Sequence, residues 1–525
     1  MGSTFISLVD TLVHIGVVDE GMLRRLSRAI RDLLDSSRTS LCLTPPNGPE
    51  MRPLTPAAAS LVRRCPMLAK LELNSRMRGR EIQAILRAVG SSLSTLIIRA
   101  QCPQLIETDT GRLLSGLTAL KSLTVCCNAV CCSHGKAASS WNSYKSAMQP
   151  FMPPATFPLT AWWSTEVIPG LLESACNLPL RELNLHLSDH DRGCDRLTRS
   201  LAVLLSSVAP TLRRFSYTGD SPGSVAKVVA DSLAAIDFLT LAIDDTNDVL
   251  PDEQYEAVAD ALLELGRRRS LTELELVGTV DKLGLLARSI ESHKRLVSLK
   301  NTMRNCKRST LLEYTPYVGR YCQSIDRSEV AEFGAALGGL SRLMELELVN
   351  LNLIHPPPPE IASAVAVPTL TSLTLVYLCD MWDNAVPLNM APLSALTGLK
   401  ELCLNHVSGN SPELMAGLAA MAQLAKLDIS DNTLSNTAFH ALAGSLRTSC
   451  GSLTELRMAD VGIDFKAADV LAAALRSTPA RLRVLDIDRA GDMATTAVLA
   501  HTAKTFHPGC EVIAAAEMLS AMGYV

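Results

Sequence analysis

The residues best suited to bind a metal form one short cluster of soft ligands. Cys126, Cys127, Cys131, Cys132 and His134 make the pattern CCxxxCCxH. Structural zinc sites usually combine two ligand pairs that are distant in the sequence. Here a single compact cluster would have to supply every ligand. The spacing therefore favours free or buried thiols, and metal binding is the alternative.

A second polar group follows a predicted strand near residue 187. It contains His186, His190 and Cys194, with Asp189 and Asp191 between them. Short polar turns of this kind are usually solvated. We therefore expect no metal site here.

Motifs of nucleotide binding and of nucleophilic catalysis are missing from the sequence. It contains no Walker loop, no glycine-rich dinucleotide turn, no HExxH and no GxSxG. Each of these motifs places a catalytic or binding group on a defined turn or helix. We therefore predict a protein that is not an enzyme and that needs no cofactor.

Composition excludes several other classes of protein. The 525 residues are 47% hydrophobic, 4% aromatic and 19% charged, with a net charge of −4 and a pI near 6.2. These values disfavour a basic nucleic-acid binder and a disordered chain. No apolar run is long enough to span a bilayer, and the N-terminal stretch lacks an early Lys or Arg. The 15 scattered cysteines suit a reducing compartment. We expect a cytoplasmic protein, with the nucleus or an organelle interior as alternatives.

A repeated phrase organises most of the chain. The pattern LxxLxL, or a close relative, occurs fourteen times, mostly 24 to 35 residues apart, with two longer gaps of 60 and 47 residues. Its copies begin at Leu68, Leu93, Leu120, Leu180, Leu212, Ile236, Leu271, Leu296, Leu343, Leu370, Leu399, Leu424, Leu453 and Leu482. Fixed periods of this length are typical of stacked repeat proteins.

The repeat resembles the leucine-rich-repeat family, specifically its longer repeats of the ribonuclease-inhibitor type. The clearest copy is LAKLDISDNTLSNTAFHALAGSL, residues 424–446, where Asn432 occupies the family's buried-asparagine position. The resemblance covers about 430 residues and implies a solenoid. In this repeat class, GTPase activation is the one enzyme-like activity. Arg76 or Arg78 would be the arginine supplied in trans, as the weakest alternative function.

The residues themselves predict the same α/β architecture. Alternating leucines indicate a short strand with one buried face. Stretches with helical spacing follow, as at 253–265, 328–337 and 465–475. Such units cannot bury their apolar sides alone, so neighbouring copies must stack. We predict a horseshoe-shaped solenoid, with a parallel sheet on its concave face and helices on its convex face.

The first 41 residues lack the repeat and have helical periodicity. They are either a plain helical cap or a module that resembles a degenerate F-box. F-box modules link repeat domains to cullin-type ubiquitin ligases through a Skp1-type adaptor. Val9 replaces the usual Pro, and no Trp follows Leu26. The F-box-like positions are Leu8, Leu12, Ile15, Leu23, Leu26 and Ile30.

Two insertions interrupt the repeats. The first, at about 127–170, holds Trp141, Trp162 and Trp163, and the second, at about 301–328, holds Tyr314, Tyr317 and Tyr321. Aromatic residues dominate many interfaces, so these insertions are candidate docking surfaces. The alternative for the first insertion is that its rings pack on the solenoid. The second insertion is also basic, but nucleic acid is not the partner we expect for an acidic protein.

Charge on the predicted concave face is mainly negative. Outward strand positions carry eleven acidic and six basic residues. Such a surface attracts a basic protein segment and repels phosphate backbones. The alternative is that Glu is simply common at solvent-facing strand positions. The candidate binding residues are Glu273, Glu275, Glu345, Glu347, Glu401, Asp428, Glu455, Asp486 and Asp488.

The sequence thus predicts a non-catalytic protein-interaction protein. Its segments would be a cap or F-box-like module at 1–41, a Pro-rich linker at 42–60, the solenoid at 61–490 and a helical C-terminal cap at 491–525. The F-box resemblance implies a substrate-recognition subunit of a cullin-type ubiquitin ligase. The alternative is a structural or assembly subunit of a large complex.

Overall fold

The structure of the chain is a computed structural model, which describes the following residues. They are 39–43, 55–75, 79–89, 92–100, 114–127, 167–176, 178–187, 195–219, 221–233, 235–243, 252–268, 271–278, 283–302, 327–349, 360–376, 390–405, 407, 412–448, 450–479 and 481–514.

The chain divides into two compact units, Met1–Asp220 and Ser221–Val525. In both units, strands alternate with helices along the sequence. Within each unit the strands pair in parallel and in the order of the sequence, so every strand lies beside the copies before and after it. The predicted α/β class and parallel sheet are confirmed.

The first unit contains six described strands and four described helices. Its strands are β1 Ser40–Leu43, β2 Lys70–Ser75, β3 Thr95–Ala100, β4 Ser122–Cys127, β5 Glu182–Leu187 and β6 Arg214–Gly219. Its helices are α1 Thr55–Arg63, α2 Gly79–Ala88, α3 Val167–Ser174 and α4 Asp195–Val208.

The second unit contains ten described strands. They are β7 Phe238–Ala242, β8 Glu273–Val277, β9 Ser298–Thr302, β10 Glu345–Val349, β11 Ser372–Val376, β12 Glu401–Asn405, β13 Lys426–Asp428, β14 Glu455–Arg457, β15 Val484–Asp486 and β16 Glu511–Ile513.

Nine α-helices are described in the second unit, together with the 3₁₀ turns Ala391–Ala395 and Leu418–Ala420. The α-helices are α5 Pro222–Ser232, α6 Asp252–Arg267, α7 Leu283–Ile290, α8 Arg327–Gly338, α9 Ile361–Val365, α10 Pro412–Gly417, α11 Asn436–Thr448, α12 Phe465–Ser477 and α13 Met493–Phe506.

Each strand from β2 to β15 begins two residues after the first Leu or Ile of an LxxLxL motif. The last two apolar positions of the motif therefore fall on the strand and point to one side of it. The helices expected at 253–265, 328–337 and 465–475 are α6, α8 and α12. The repeat pattern thus predicts both elements of the repeat.

Rows of aligned apolar side chains form the core of the second unit. One row runs through Leu274, Leu299, Leu346 and Leu373 on consecutive strands, each at most 1% exposed. Burying one leucine contributes about 1.5–3 kcal/mol. A stack of identical positions therefore supplies most of the stabilisation and makes each repeat depend on its neighbours.

Main-chain hydrogen bonds connect each repeat to the one before it. The Thr272 carbonyl oxygen accepts two bonds, from the N–H groups of Val297 (2.7 Å) and Ser298 (3.1 Å). The same paired junction joins all consecutive strands from β1 to β6 and from β7 to β15. We call it the carbonyl junction. It satisfies two backbone donors at the start of each strand without using any side chain.

Asn432 is buried in the turn after β13. Its side-chain amide donates to the carbonyl oxygens of Leu404, Ile429 (2.8 Å) and Ser430 (2.9 Å), and its oxygen accepts from Val407 N–H (2.9 Å). These bonds tie the turn to the preceding repeat. The burial expected for Asn432, which is 3% exposed, is confirmed.

Two strands and one helix begin in segments that the sequence analysis predicted to be a cap or a linker. β1 lies at the end of the predicted cap, and α1 begins within the predicted linker. The segment predicted as a helical C-terminal cap contains α13 but also β16. Among the described helices, none combines the length and the apolar character needed to cross a membrane.

Candidate functional site

The side chains that alternate with the buried leucines cover the other side of each strand. We call this surface in the second unit the open face. Across β7 to β16 it carries nine acidic and three basic side chains. The acidic ones are Glu273, Glu275, Glu345, Glu347, Glu401, Asp428, Glu455, Asp486 and Glu511. The basic ones are Lys300, Lys426 and Arg457.

Strand register places five of these glutamates in one row across the sheet. Glutamate occupies the first position of every second strand, because β8, β10, β12, β14 and β16 each begin with it. Ser298, Ser372, Lys426 and Val484 occupy the same register on the strands between. Neighbouring strands lie about 4.7–4.9 Å apart, so the carboxylates recur about every 9.5 Å. We call these five residues, Glu273, Glu345, Glu401, Glu455 and Glu511, the glutamate row.

A second row runs beside the first, two residues further along each strand. Its acidic members are Glu275, Glu347, Asp428 and Asp486. Unlike the glutamate row, this row has no regular alternation. It adds negative charge on both sides of a central polar region on β11 and β12.

Each of the three basic side chains lies close to a glutamate. Lys300 Nζ is 3.4 Å from a Glu347 carboxylate oxygen, and Lys426 Nζ is 3.2 Å from one of Glu401. Arg457 lies 3.8 Å from Glu455 on its own strand. Exposed ion pairs of this kind contribute little stability, about 0–1 kcal/mol. They neutralise only three of the nine acidic groups.

Two glutamates of the row have no neutralising partner within the described part of the chain. Glu345 and Glu511 are both exposed and form no ion pair there. Glu275 accepts a hydrogen bond from the Thr240 hydroxyl at 3.0 Å. The carboxylates are therefore accessible to a cationic ligand.

The negative field also changes the pKa of neighbouring groups. The hydrogen bond and charge of Glu401 raise the pKa of Lys426. Burial raises the pKa of the Cys403 thiol to about 12, with further increases from the charges of Asp428 and Glu347. An acidic surface disfavours a thiolate, so Cys403 is a poor nucleophile. The open face suits cation binding rather than thiol chemistry.

The corresponding strand face of the first unit has a different charge pattern. Among the side chains that the structure describes on this face, two are acidic, Glu72 and Glu182, and two are basic, Lys70 and Arg214. Ser122 donates a hydrogen bond to Glu182 at 3.0 Å. In the described residues, the acidic character is therefore a property of the second unit alone.

Eight of the nine predicted acidic residues lie on strands of the open face. Asp488 lies in the turn after β15, where its N–H donates to the Asp486 carboxylate at 3.2 Å. Sequence reasoning missed Glu511, because its strand lacks a leading leucine. The period-two pattern of CEVI, residues 510–513, is the signal that identifies this strand.

Several other predicted residues lie outside the described residues. They are the F-box-like Leu8, Leu12, Ile15, Leu23, Leu26 and Ile30, the aromatic Trp141, Trp162, Trp163, Tyr314, Tyr317 and Tyr321, and Arg76, Arg78, Cys131, Cys132, His134, His190 and Cys194.

Cys126 and Cys127 end β4, and Cys126 is half-buried and is not part of a disulfide. His186 is exposed on β5, with a ring nitrogen 3.2 Å from the Thr218 hydroxyl. Within the described ranges, no three His, Cys, Asp or Glu side chains converge in a way that could hold a metal ion.

No protein-family model matches the chain, and a comparison with curated proteins gives no match. The ordered carboxylates of the open face can bind cationic groups that are spaced along an extended ligand.

Proposed function

We propose that this protein is a non-catalytic interaction protein of the leucine-rich-repeat type, and that its open face binds a basic segment of a partner protein. The glutamate row is the observation that carries the proposal. It places five carboxylates at one register, of which Glu401 and Glu455 have a basic neighbour. Complementary charge contributes mainly to the association rate and to specificity.

The spacing of the row indicates what conformation the partner segment has. A polyproline II segment has three residues per turn and rises about 3.1 Å per residue, so every third side chain recurs about every 9.3 Å. This matches the carboxylate spacing of about 9.5 Å. On an α-helix, a seven-residue repeat advances about 10.5 Å and loses register over five sites. We therefore propose an extended segment with Lys or Arg at every third position.

Two synthetic peptides of identical composition test this geometry. One has Lys at every third position among Pro and Gly residues, and the other has the same lysines in one block. We expect the spaced peptide to bind the full chain more tightly in fluorescence anisotropy. Binding should weaken steeply between low and physiological salt, because the ligand is steered by exposed charge. Equal binding of both peptides would contradict the spacing argument.

Charge reversal tests whether the open face is the binding surface. Changing Glu273, Glu275, Glu345 and Glu347 to Lys should weaken binding of the spaced peptide at least about tenfold and flatten its salt dependence. The matched control reverses Glu253, Glu256, Glu332 and Asp469, four exposed acidic residues on helices. Both variants change the net charge by the same amount. Equal weakening in the two variants would show that net charge, and not the open face, controls binding.

We propose further that the protein is a substrate-recognition subunit of a cullin-type ubiquitin ligase, located in the cytoplasm. The F-box-like positions of the N-terminal segment support this role. Affinity purification should recover a Skp1-type adaptor, and changing Leu12, Ile15 and Leu26 to Asp should abolish the recovery. Recovery of a stoichiometric large assembly without this adaptor would instead favour a structural subunit.

A further inference from the structure

One polar side chain interrupts a row of buried leucines in the second unit. On β8, β10, β11 and β12 the second inward position is Leu276, Leu348, Leu375 and Leu404. On β9 it is Asn301, which is fully buried between Leu276 and Leu348. Within the described part of the chain, neither its amide nitrogen nor its oxygen has a hydrogen-bond partner.

A second buried polar side chain in the same repeat lacks hydrogen bonds of normal geometry. His293 lies in the turn between α7 and β9 and is 1% exposed. The Leu262 and Ser289 carbonyl groups lie nearby, but neither ring nitrogen forms a hydrogen bond of normal geometry within the described residues. In the next repeat the equivalent position is Leu340, which is also buried. An apolar residue would therefore suit this position.

Polar defects are concentrated in this repeat. Of the five buried side-chain atoms that lack a partner among the described residues, four belong to Asn301 and His293. An unsatisfied buried polar group destabilises a folded structure, because no hydrogen bond offsets the loss of its contacts with water. The repeat formed by α7 and β9 therefore combines two buried polar side chains that lack hydrogen bonds of normal geometry within the described residues.

We propose that the repeat formed by α7 and β9 is the point at which the second unit opens first. In a stack of repeats, stability is a sum of local terms, so the least stable internal repeat unfolds before its neighbours. Opening at residues 283–302 gives Asn301 and His293 access to water. It also removes Lys300 from between Glu275 and Glu347, which interrupts the open face.

Hydrogen exchange measured by mass spectrometry on the full chain tests this proposal. Peptides from 283–302 should exchange at least about tenfold faster than the slowest peptides of β8 and β10, since local opening sets the exchange rate. Equal protection of β8, β9 and β10 would overturn the proposal.

Substitutions on β9 test the cause of the opening. Asn301→Leu restores the leucine row and should slow exchange in 283–302 about tenfold or more. Asn301→Val makes the same test with a smaller side chain, in case leucine overfills the site. Thr302→Val is the control, because Thr302 lies on the same strand but on the open face, half exposed.

Slower exchange in either Asn301 variant, with no change in Thr302→Val, supports the proposal. If neither Asn301 variant slows exchange at 283–302, or if Thr302→Val slows it equally, the buried amide is not the cause and the proposal fails.

Discussion

Two buried histidines in the second unit differ in what surrounds their rings. His507 Nε2 lies 3.0 Å from the Leu475 carbonyl oxygen, so one ring nitrogen is satisfied. His293 has no such bond, and burial lowers its pKa from 6.5 to about 4. The nearby carbonyl groups favour the protonated ring, but burial outweighs them. His293 therefore stays neutral in the folded protein at physiological pH.

This pKa predicts a loss of stability in acid. The unfolded chain binds a proton on His293 near pH 6.5, whereas the folded chain binds it only near pH 4. The stabilisation is complete above pH 6.5 and is lost as the pH falls towards 4. Between pH 7.5 and 5 the loss should be about 2 kcal/mol, at 1.36 kcal/mol per pKa unit.

Urea denaturation of His293→Leu at both pH values measures this effect. The variant should lose about 2 kcal/mol less than the unmodified protein on acidification. His440→Gln serves as the control, because His440 is exposed on α11. If His293→Leu and the unmodified protein lose equal stability, the ring is not buried in its neutral form.

The structural role of a residue could be predicted where it occupies a position whose residue type is characteristic of the repeat. Asn432 was recognisable because a buried asparagine belongs at that position of the motif. Asn301 was not, because an asparagine at a leucine position can be read equally as a solvated strand end. Only the register with Leu276 and Leu348 shows that it is buried.

At the level of elements, the sequence predicts the strands through their leading leucines. β1 and β16 were missed for the same reason. Their motifs have Arg38 and Gly509 in place of the first leucine, although Leu41 and Val512 keep the buried position. The motif thus locates a strand where its leading Leu or Ile is present, as it does for β9, whose third apolar position is Asn301.

The turns before α12 and α13 approach each other closely. Ile463 and Gly491 form a bridge between the turns before α12 and α13. A Cβ atom at Gly491 would overlap the Ile463 carbonyl oxygen, which is main chain and cannot rotate away. Gly491→Ala should therefore destabilise the protein by about 1–3 kcal/mol, measured by thermal or urea unfolding.

Gly444→Ala provides the opposite comparison. Gly444 lies inside α11, and an added Cβ would meet no atom within 4 Å. Alanine there should stabilise the protein by about 0.5–1 kcal/mol, since it restricts the unfolded chain. A destabilised Gly444→Ala, or a neutral Gly491→Ala, would show that this packing of α11 or of the bridged turns is wrong.

At the level of the whole molecule, the sequence predicts the sign of the charged surface but not its pattern. Summing the charges of the fourteen motifs gives the net sign of the surface but not the arrangement of its charges. Pairing of neighbouring strands places glutamates on alternate strands of the second unit and leaves the first unit balanced.

Contacts between successive repeats predict which repeats a destabilising substitution affects. In the second unit, strands and helices contact mainly the next element of the same kind. Leu456→Ala on β14 removes a fully buried side chain and should cost about 2–5 kcal/mol. Hydrogen exchange should accelerate in β13, β14 and β15 and stay unchanged in β8. Uniform acceleration over the unit would indicate one cooperative core instead.

The carbonyl junction has a consequence for how such a chain can change in evolution. The two paired hydrogen bonds of each junction use only main-chain atoms, as between Thr272, Val297 and Ser298, so these two bonds do not depend on which side chains meet there. At four of the described junctions a Ser or Thr hydroxyl also donates to the shared carbonyl oxygen. A duplicated or deleted repeat would find the same acceptor on its new neighbour. Gene duplication can therefore lengthen or shorten the array in whole repeats, while substitutions on the strands alter the ligand independently.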